Sequence, residues 1–172
     1  MGTYEGKHSG PLSMPINFVN LSPNKDPEYI KIGDSGFDLR AWIKDEEGTN
    51  QYSKEPKIVL KPLERKLIHT GIYLGLPIGY EAQIRPRSGM ALKRGFSVLN
   101  TPGTIDADYR GEIGIIAVNL SNEEITIENS ERIAQCVINM VKCKGNGIKL
   151  IKTDKLDETE RGAQGFGDSG DK

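Results

Sequence analysis

Gly103-Thr104-Ile105-Asp106-Ala107-Asp108-Tyr109-Arg110-Gly111-Glu112 lies between two runs that read as strands, Gly95 to Leu99 before it and Glu112 to Leu120 after it. A connection between strands is ordinarily filled with small turn residues. This one carries acids, a ring and a base between glycines. Asp106 and Tyr109 on a hairpin-like connection place a candidate general base and a stacking ring at one rigid spot, which is what a catalytic hairpin requires.

Working outward, the chain reads as many short strands and almost no helix. Pro15 to Asn20, Phe37 to Ala41, Lys57 to Leu60, Leu67 to Leu74 and Tyr80 to Ile84 are β-like runs separated by Pro and Gly. Phe96 to Leu99, Ile113 to Leu120, Ile125 to Ile127 and Ile133 to Val141 complete the set. Strands at this spacing predict an all-β sandwich or barrel. One short helix is expected over Ser88 to Lys93, closed by Gly95.

The ends differ from the middle. Residues 1–13 are Gly-rich and aperiodic and read as a flexible leader, with Met14 as a candidate natural start. Residues 14–151 form the β domain. Residues 152–172 are polar, mixed in charge and Gly-rich, with Phe166 as their aromatic; this composition predicts a flexible arm. Glu46 to Lys54 reads as a polar loop insertion without evident chemistry.

Bulk properties exclude several classes. A chain of 172 residues suits one compact domain. A net charge of −1 gives no basic field for nucleic acid. No apolar run approaches the ~20 residues of a membrane span, and no secretion-signal layout opens the chain. Cys136 and Cys143, at an odd separation in one apolar run, point to opposite faces of a regular strand and are expected to be reduced. A cytoplasmic setting follows. His8 and His69 with these thiols are too few for a zinc site.

Several stretches carry candidate chemistry. Ser35-Gly36-Phe37-Asp38-Leu39-Arg40-Ala41 sets an acid among apolar residues. Arg85-Pro86-Arg87-Ser88-Gly89 sets cations and a hydroxyl at a helix start, where backbone N–H groups bind phosphate. Glu131-Arg132-Ile133-Ala134-Gln135 opens the last long strand, and Arg161-Gly162-Ala163-Gln164-Gly165-Phe166-Gly167-Asp168-Ser169-Gly170 ends the chain. Taken singly, each has a plainer reading. Asp38 reads equally as a strand-edge acid, Arg87 to Gly89 as a helix cap, Tyr109 as a packing ring and the arm as a loose end.

In this order and wording the motifs resemble those of the trimeric dUTPase family, the dUTP pyrophosphatases, from about Met14 to Gly170. The resemblance implies a distorted jelly-roll β-barrel (β-clip) subunit with one short helix. It also implies a homotrimer whose active sites lie between subunits, with the arm crossing to a neighbour. The implied activity is hydrolysis of dUTP to dUMP and pyrophosphate, which supplies dUMP for thymidylate synthesis and keeps uracil out of DNA.

The implied roles fall on matching positions. Asp106 is the base that activates water against the α-phosphorus, and Asn100 helps place substrate or water. Tyr109 packs under the deoxyribose, and the backbone of Gly103, Thr104 and Ile105 pairs with the uracil edge. Arg87, Ser88, Gly89 and Gln135 contact phosphates. Asp38 holds Mg2+ through water. Arg161 meets the γ-phosphate, and Phe166 with Gly167 covers the uracil. Asp168 stands where the family often has Ser or Thr, and Ser35 and Phe37 depart from the usual first motif. Asp108 is a turn or salt-bridge residue. The competing readings are a dCTP deaminase of the same fold, which the Asp106 hairpin and the arm oppose, and a non-catalytic nucleotide-binding regulator.

The chemistry suits these residue types. Hydrolysis between α- and β-phosphorus needs an oriented water, a base and spread positive charge. Arginine forks grip phosphate oxygens in pairs, and magnesium prefers oxygen ligands and retains water. A closing arm expels solvent.

Overall fold

The computed structural model describes residues 14–44 and 56–163. The leader expected at 1–13, the insertion Glu46 to Lys54, and Phe166, Gly167 and Asp168 of the arm lie outside the described residues.

The described chain is mostly β with one short helix. In chain order the strands are β1 (Asn17–Asn20), β2 (Phe37–Arg40), β3 (Lys57–Leu60), β4 (Arg65–Ile68), β5 (Ile72–Gly75) and β6 (Tyr80–Pro86). After helix α1 (Ser88–Arg94) come β7 (Phe96–Val98), β8 (Gly103–Ile105), β9 (Ile115–Asn119), β10 (Ile125–Glu128) and β11 (Arg132–Met140). A single 3₁₀ turn at Lys144–Asn146, not anticipated from the sequence, follows. The strands pair as β2-β11-β6-β8, β4-β9-β7, β1-β5 and β3-β10. Every pairing is antiparallel.

Alternation dictates which side chains enter the core. β2 buries Phe37 and Leu39 and turns Asp38 and Arg40 outward; β10 buries Ile125 and Ile127 and exposes Thr126 and Glu128. The core gathers Leu39, Leu60, Ile68, Leu74, Phe96, Ile115, Ile127 and Ile133 from all four sheets, with Ile113 from the chain before β9. Each such side chain contributes roughly 1.5–3 kcal/mol of burial. Buried Asn119 is fully bonded, donating to the carbonyls of Leu60 (2.9 Å) and Glu123 (2.7 Å) and accepting from Ser121.

One expectation is corrected. The run Leu67 to Leu74 is not one strand. It divides into β4, which pairs with β9, and β5, which pairs with β1. The break is Gly71 at φ +72°, where a Cβ would fall 2.7 Å from Ser22 and 2.9 Å from Trp42. Only glycine suits that crowded left-handed turn. The hairpin-like connection starting at Gly103 opens with a strand of its own, its first three residues forming β8 against β6.

Helix α1 ends as expected at Gly95, in the left-handed conformation with φ 66°. It buries only Met90. Cys136 is buried in β11, and Cys143 lies beyond the end of that strand, so the opposite-face argument does not apply to it; both are free. Burial pushes the Cys136 thiol up to about 12, which makes it a small hydrophobe and not a nucleophile. No helix among the described residues is long and apolar enough to cross a membrane.

Candidate active site

The sheet β2-β11-β6 assembles one group of motif residues. Gln135 on β11 stands opposite Asp38 on β2 and Arg85 on β6. Gly36 allows this approach, because a Cβ there would meet the Cys136 carbonyl at 2.6 Å. Arg87, just past β6, donates Nε–H to Asp38 Oδ1 at 2.9 Å and Nη1–H to the Arg132 carbonyl at 3.2 Å. Arg132 donates to Asp38 Oδ2 at 3.1 Å. One carboxylate therefore bridges two guanidiniums. A shallow cleft at this point is lined by Asp38, Arg40, Arg132 and Gln135. Ser88 and Gly89 follow directly and are exposed. A Cβ at Gly89 would meet nothing within 4 Å, so packing does not require glycine there.

The hairpin forms a second group. β8 runs antiparallel to β6, with Gly103 opposite Ile84 and Ile105 opposite Ala82. Gly103 is buried, and a Cβ on it would lie 3.2 Å from Asn100 Nδ2, so Asn100 sits against the base of the hairpin. Asp106 is exposed at the end of β8. The turn closes with the Tyr109 N–H on the Asp106 carbonyl at 3.2 Å. Arg110 caps it, donating to the carbonyls of Ala107 (2.7 Å) and Tyr109 (2.8 Å). Tyr109 is 44% exposed, and its hydroxyl donates to the Glu112 carbonyl at 3.0 Å. A Cβ at Gly111 would fall 2.3 Å from the Tyr109 hydroxyl, so a side chain there would displace the ring. Asp108 is an exposed turn residue.

The two groups do not meet within one chain. Asp106 follows Ile105, which pairs with Ala82; continuing that register sets it level with Glu81, at the far end of β6 from Arg87 and six residues along the strand. At the usual rise per residue this is about 20 Å. Arg161 is exposed in irregular chain, with Phe166 and Gly167 outside the described residues.

A family model for the dUTPase matches residues 51–170. The chain belongs to the dUTPase family. It is 48% identical over 157 residues to the deoxyuridine 5'-triphosphate nucleotidohydrolase of Finegoldia magna, covering 91% of this chain and 99% of that protein. The enzyme of the same name from Fusobacterium nucleatum is 49% identical over 144 residues, covering 84% and 88%. The solved dUTPase of Staphylococcus bacteriophage 80alpha with dUPNHPP superposes with a TM-score of 0.72 at 26% identity, covering 92% of this chain and 99% of that one.

Two residues of this dUTPase-family chain were not singled out from the sequence. Arg132 lies inside a quoted motif, yet only cross-strand pairing reveals that it shares Asp38 with Arg87. Glu112 closes the quoted stretch. Its carboxylate accepts the Gly71 N–H (2.8 Å) and the Thr70 N–H (3.1 Å) and pairs with His69 Nδ1 at 2.9 Å. Burial pushes this carboxyl upward, but the Gly71 hydrogen bond, His69 and Lys44 outweigh it, and the net shift is below the ordinary glutamate value. No group of three or more His, Cys, Asp or Glu able to hold a metal ion occurs among the described residues.

Proposed function

We propose that this protein hydrolyses dUTP to dUMP and pyrophosphate, with Asp106 as the general base. The observation that carries the reading is the exposed Asp106 carboxylate at the end of a strand-anchored hairpin, beside Tyr109. Asp106 takes a proton from water as the water oxygen bonds the α-phosphorus. The bond from that phosphorus to the bridging oxygen breaks, and pyrophosphate leaves. Asn100 orients substrate or water at the hairpin base. Tyr109 packs under the deoxyribose and leaves no room for a 2′-hydroxyl, while the backbone of Gly103, Thr104 and Ile105 reads the uracil edge. A thymine methyl in that snug site costs about 1–3 kcal/mol.

Arg87, Ser88, Gly89 and Gln135 hold the phosphates. Arg161 meets the γ-phosphate, and Phe166 with Gly167 closes over the base from the arm, residues 152–172, that follows the β domain of 14–151 and its leader of 1–13. The subunits are distorted jelly-roll barrels (β-clip) that assemble as a homotrimer. The roughly 20 Å between Asp106 and Arg87 along β6 supports this reading, because a second copy must supply one half of each site.

Magnesium fits as an ion carried by the triphosphate and touched by Asp38 through water. Both oxygens of Asp38 already face guanidiniums, which does not suit direct coordination, but Mg2+ retains several waters and needs few protein ligands. When bound, it spreads the charge that develops on the phosphates.

Pyrophosphate release should be measured from dUTP, dTTP, dCTP and UTP with magnesium. Release confined to dUTP is expected. Ammonia from dCTP, or no turnover of dUTP, contradicts the reading.

A further inference from the structure

The hairpin is not held by its own turn alone. It is tied to a distant element by Glu112, which has no part in the nucleotide contacts proposed above and belongs to no strand. The Glu112 carboxylate reaches the break between β4 and β5. One oxygen accepts the N–H groups of Thr70 (3.1 Å) and Gly71 (2.8 Å), and the other pairs with His69 Nδ1 (2.9 Å). That break is hydrogen-bonded and closely packed. Thr70 is 1% exposed and donates its hydroxyl to the Ile113 carbonyl at 2.6 Å. Gly71 is wedged against Ser22 and Trp42. The Ile113 N–H in turn donates to the Ile72 carbonyl at 2.8 Å, so both flanks of the break are bonded to the chain that leaves the hairpin.

The main chain of the same residue holds the ring. The Glu112 carbonyl accepts the Tyr109 hydroxyl at 3.0 Å, with the ring lying across Gly111. A continuous path thus runs from the buried β4–β5 break, through the Glu112 carboxylate and backbone, to the Tyr109 ring. We infer that Glu112 is a positioning residue for the catalytic hairpin, fixing Tyr109, and through it sugar selectivity, by hydrogen bonds to the Thr70–Gly71 backbone. This rests on the reading of Tyr109 as the ring under the deoxyribose.

The bonds to Thr70 and Gly71 require an oxygen at the end of a glutamate-length side chain, not a charge. Glutamine retains such an oxygen, and its amide faces His69, whose ring nitrogen accepts in the other tautomer. Aspartate retains the charge but is one methylene short. Alanine removes the anchor and leaves two N–H groups of the break without their partner.

The test compares Glu112→Gln, Glu112→Asp, Glu112→Ala and Tyr109→Ala, each checked for folding by thermal unfolding, in kcat and KM for dUTP and for UTP. A loosened hairpin is expected to lower the dUTP-to-UTP ratio of kcat/KM by roughly 10- to 100-fold, because misplacement on the scale of 1 Å has effects of that size. The expected order is Glu112→Gln within about threefold of the unsubstituted protein, with Glu112→Asp and Glu112→Ala both relaxed in selectivity and lowered in kcat. If Glu112→Ala fails to fold, the Gln and Asp variants still decide. An aspartate variant as selective as the unsubstituted protein, while Tyr109→Ala relaxes selectivity, overturns the positioning role alone. Unchanged selectivity in Tyr109→Ala overturns the sugar-facing role and this inference with it.

Discussion

Asp38 and Arg87 are 49 residues apart in sequence and 2.9 Å apart in space, joined from Oδ1 to Nε. Asp38 Oδ2 simultaneously accepts Arg132 at 3.1 Å. The carboxylate thus holds two guanidiniums at one edge of the β2-β11-β6 sheet, and a polyphosphate arriving there would compete with it for both. Partly exposed pairs of this kind contribute about 0–1 kcal/mol to stability, so the arrangement matters more for orientation than for folding. Asp38→Asn is expected to unfold within about 1 kcal/mol of the unsubstituted protein. Its dUTP turnover is expected to require more magnesium for half-maximal rate. A magnesium titration of turnover, paired with denaturant unfolding, checks both halves.

Gly89 lies in the first turn of α1, where its missing side chain leaves open space. In a helix alanine is favoured over glycine by about 0.8–1 kcal/mol. Gly89→Ala should therefore leave stability unchanged or raise it, while lowering kcat/KM for dUTP by crowding the phosphates. Melting temperature and steady-state kinetics on the same preparation would show opposite signs. A variant that is both less stable and less active would mean that the glycine serves the fold.

The proposed sharing of each site between copies of a homotrimer can be tested by complementation. Asp106→Asn and Arg87→Ala homo-oligomers are each expected to be nearly inactive. After subunit exchange, mixed assemblies contain sites that join an intact Arg87 from one copy to an intact Asp106 from another. Activity should reappear on mixing. Mixtures that remain as inactive as their parents would mean that each chain builds its own site.

Glu112 sets an acid limit on stability. Its carboxyl is held below the ordinary value, so the ionised form binds better in the folded state. That contribution is present above the unfolded value of about 4.3 and is lost as pH falls through the lower folded value. Folding free energy should decline across that acid range in the unsubstituted protein and decline less in Glu112→Gln. Urea unfolding from pH 6 downward measures the difference; parallel pH profiles would assign no such role to this carboxylate.

Much of the architecture was legible because it rests on alternation and punctuation. Phe37 to Leu39 and Ile125 to Ile127 show alternating burial, and Gly95 stops α1 where a left-handed residue is needed. The β4–β5 division was hidden because an apolar run looks the same whether or not its two halves pair with different strands; Gly71 was the available cue. Site residues were readable as motifs, but their grouping was not. Gln135 meets Asp38 through register, which no local pattern encodes. The bracing by Glu112 of a turn 41 residues away is long-range in the same way, and so is the sharing of Asp38 by Arg132.

Asp106 carries the central claim. The most direct measurement is the single-turnover rate of dUTP hydrolysis by Asp106→Asn, beside nucleotide binding to the same variant by calorimetry with a non-hydrolysable dUTP analogue. General-base catalysis contributes typically 10²- to 10⁴-fold, so a loss of roughly that size with near-normal binding is the expected result. A rate within a few fold of the unsubstituted protein would contradict the assignment of the base.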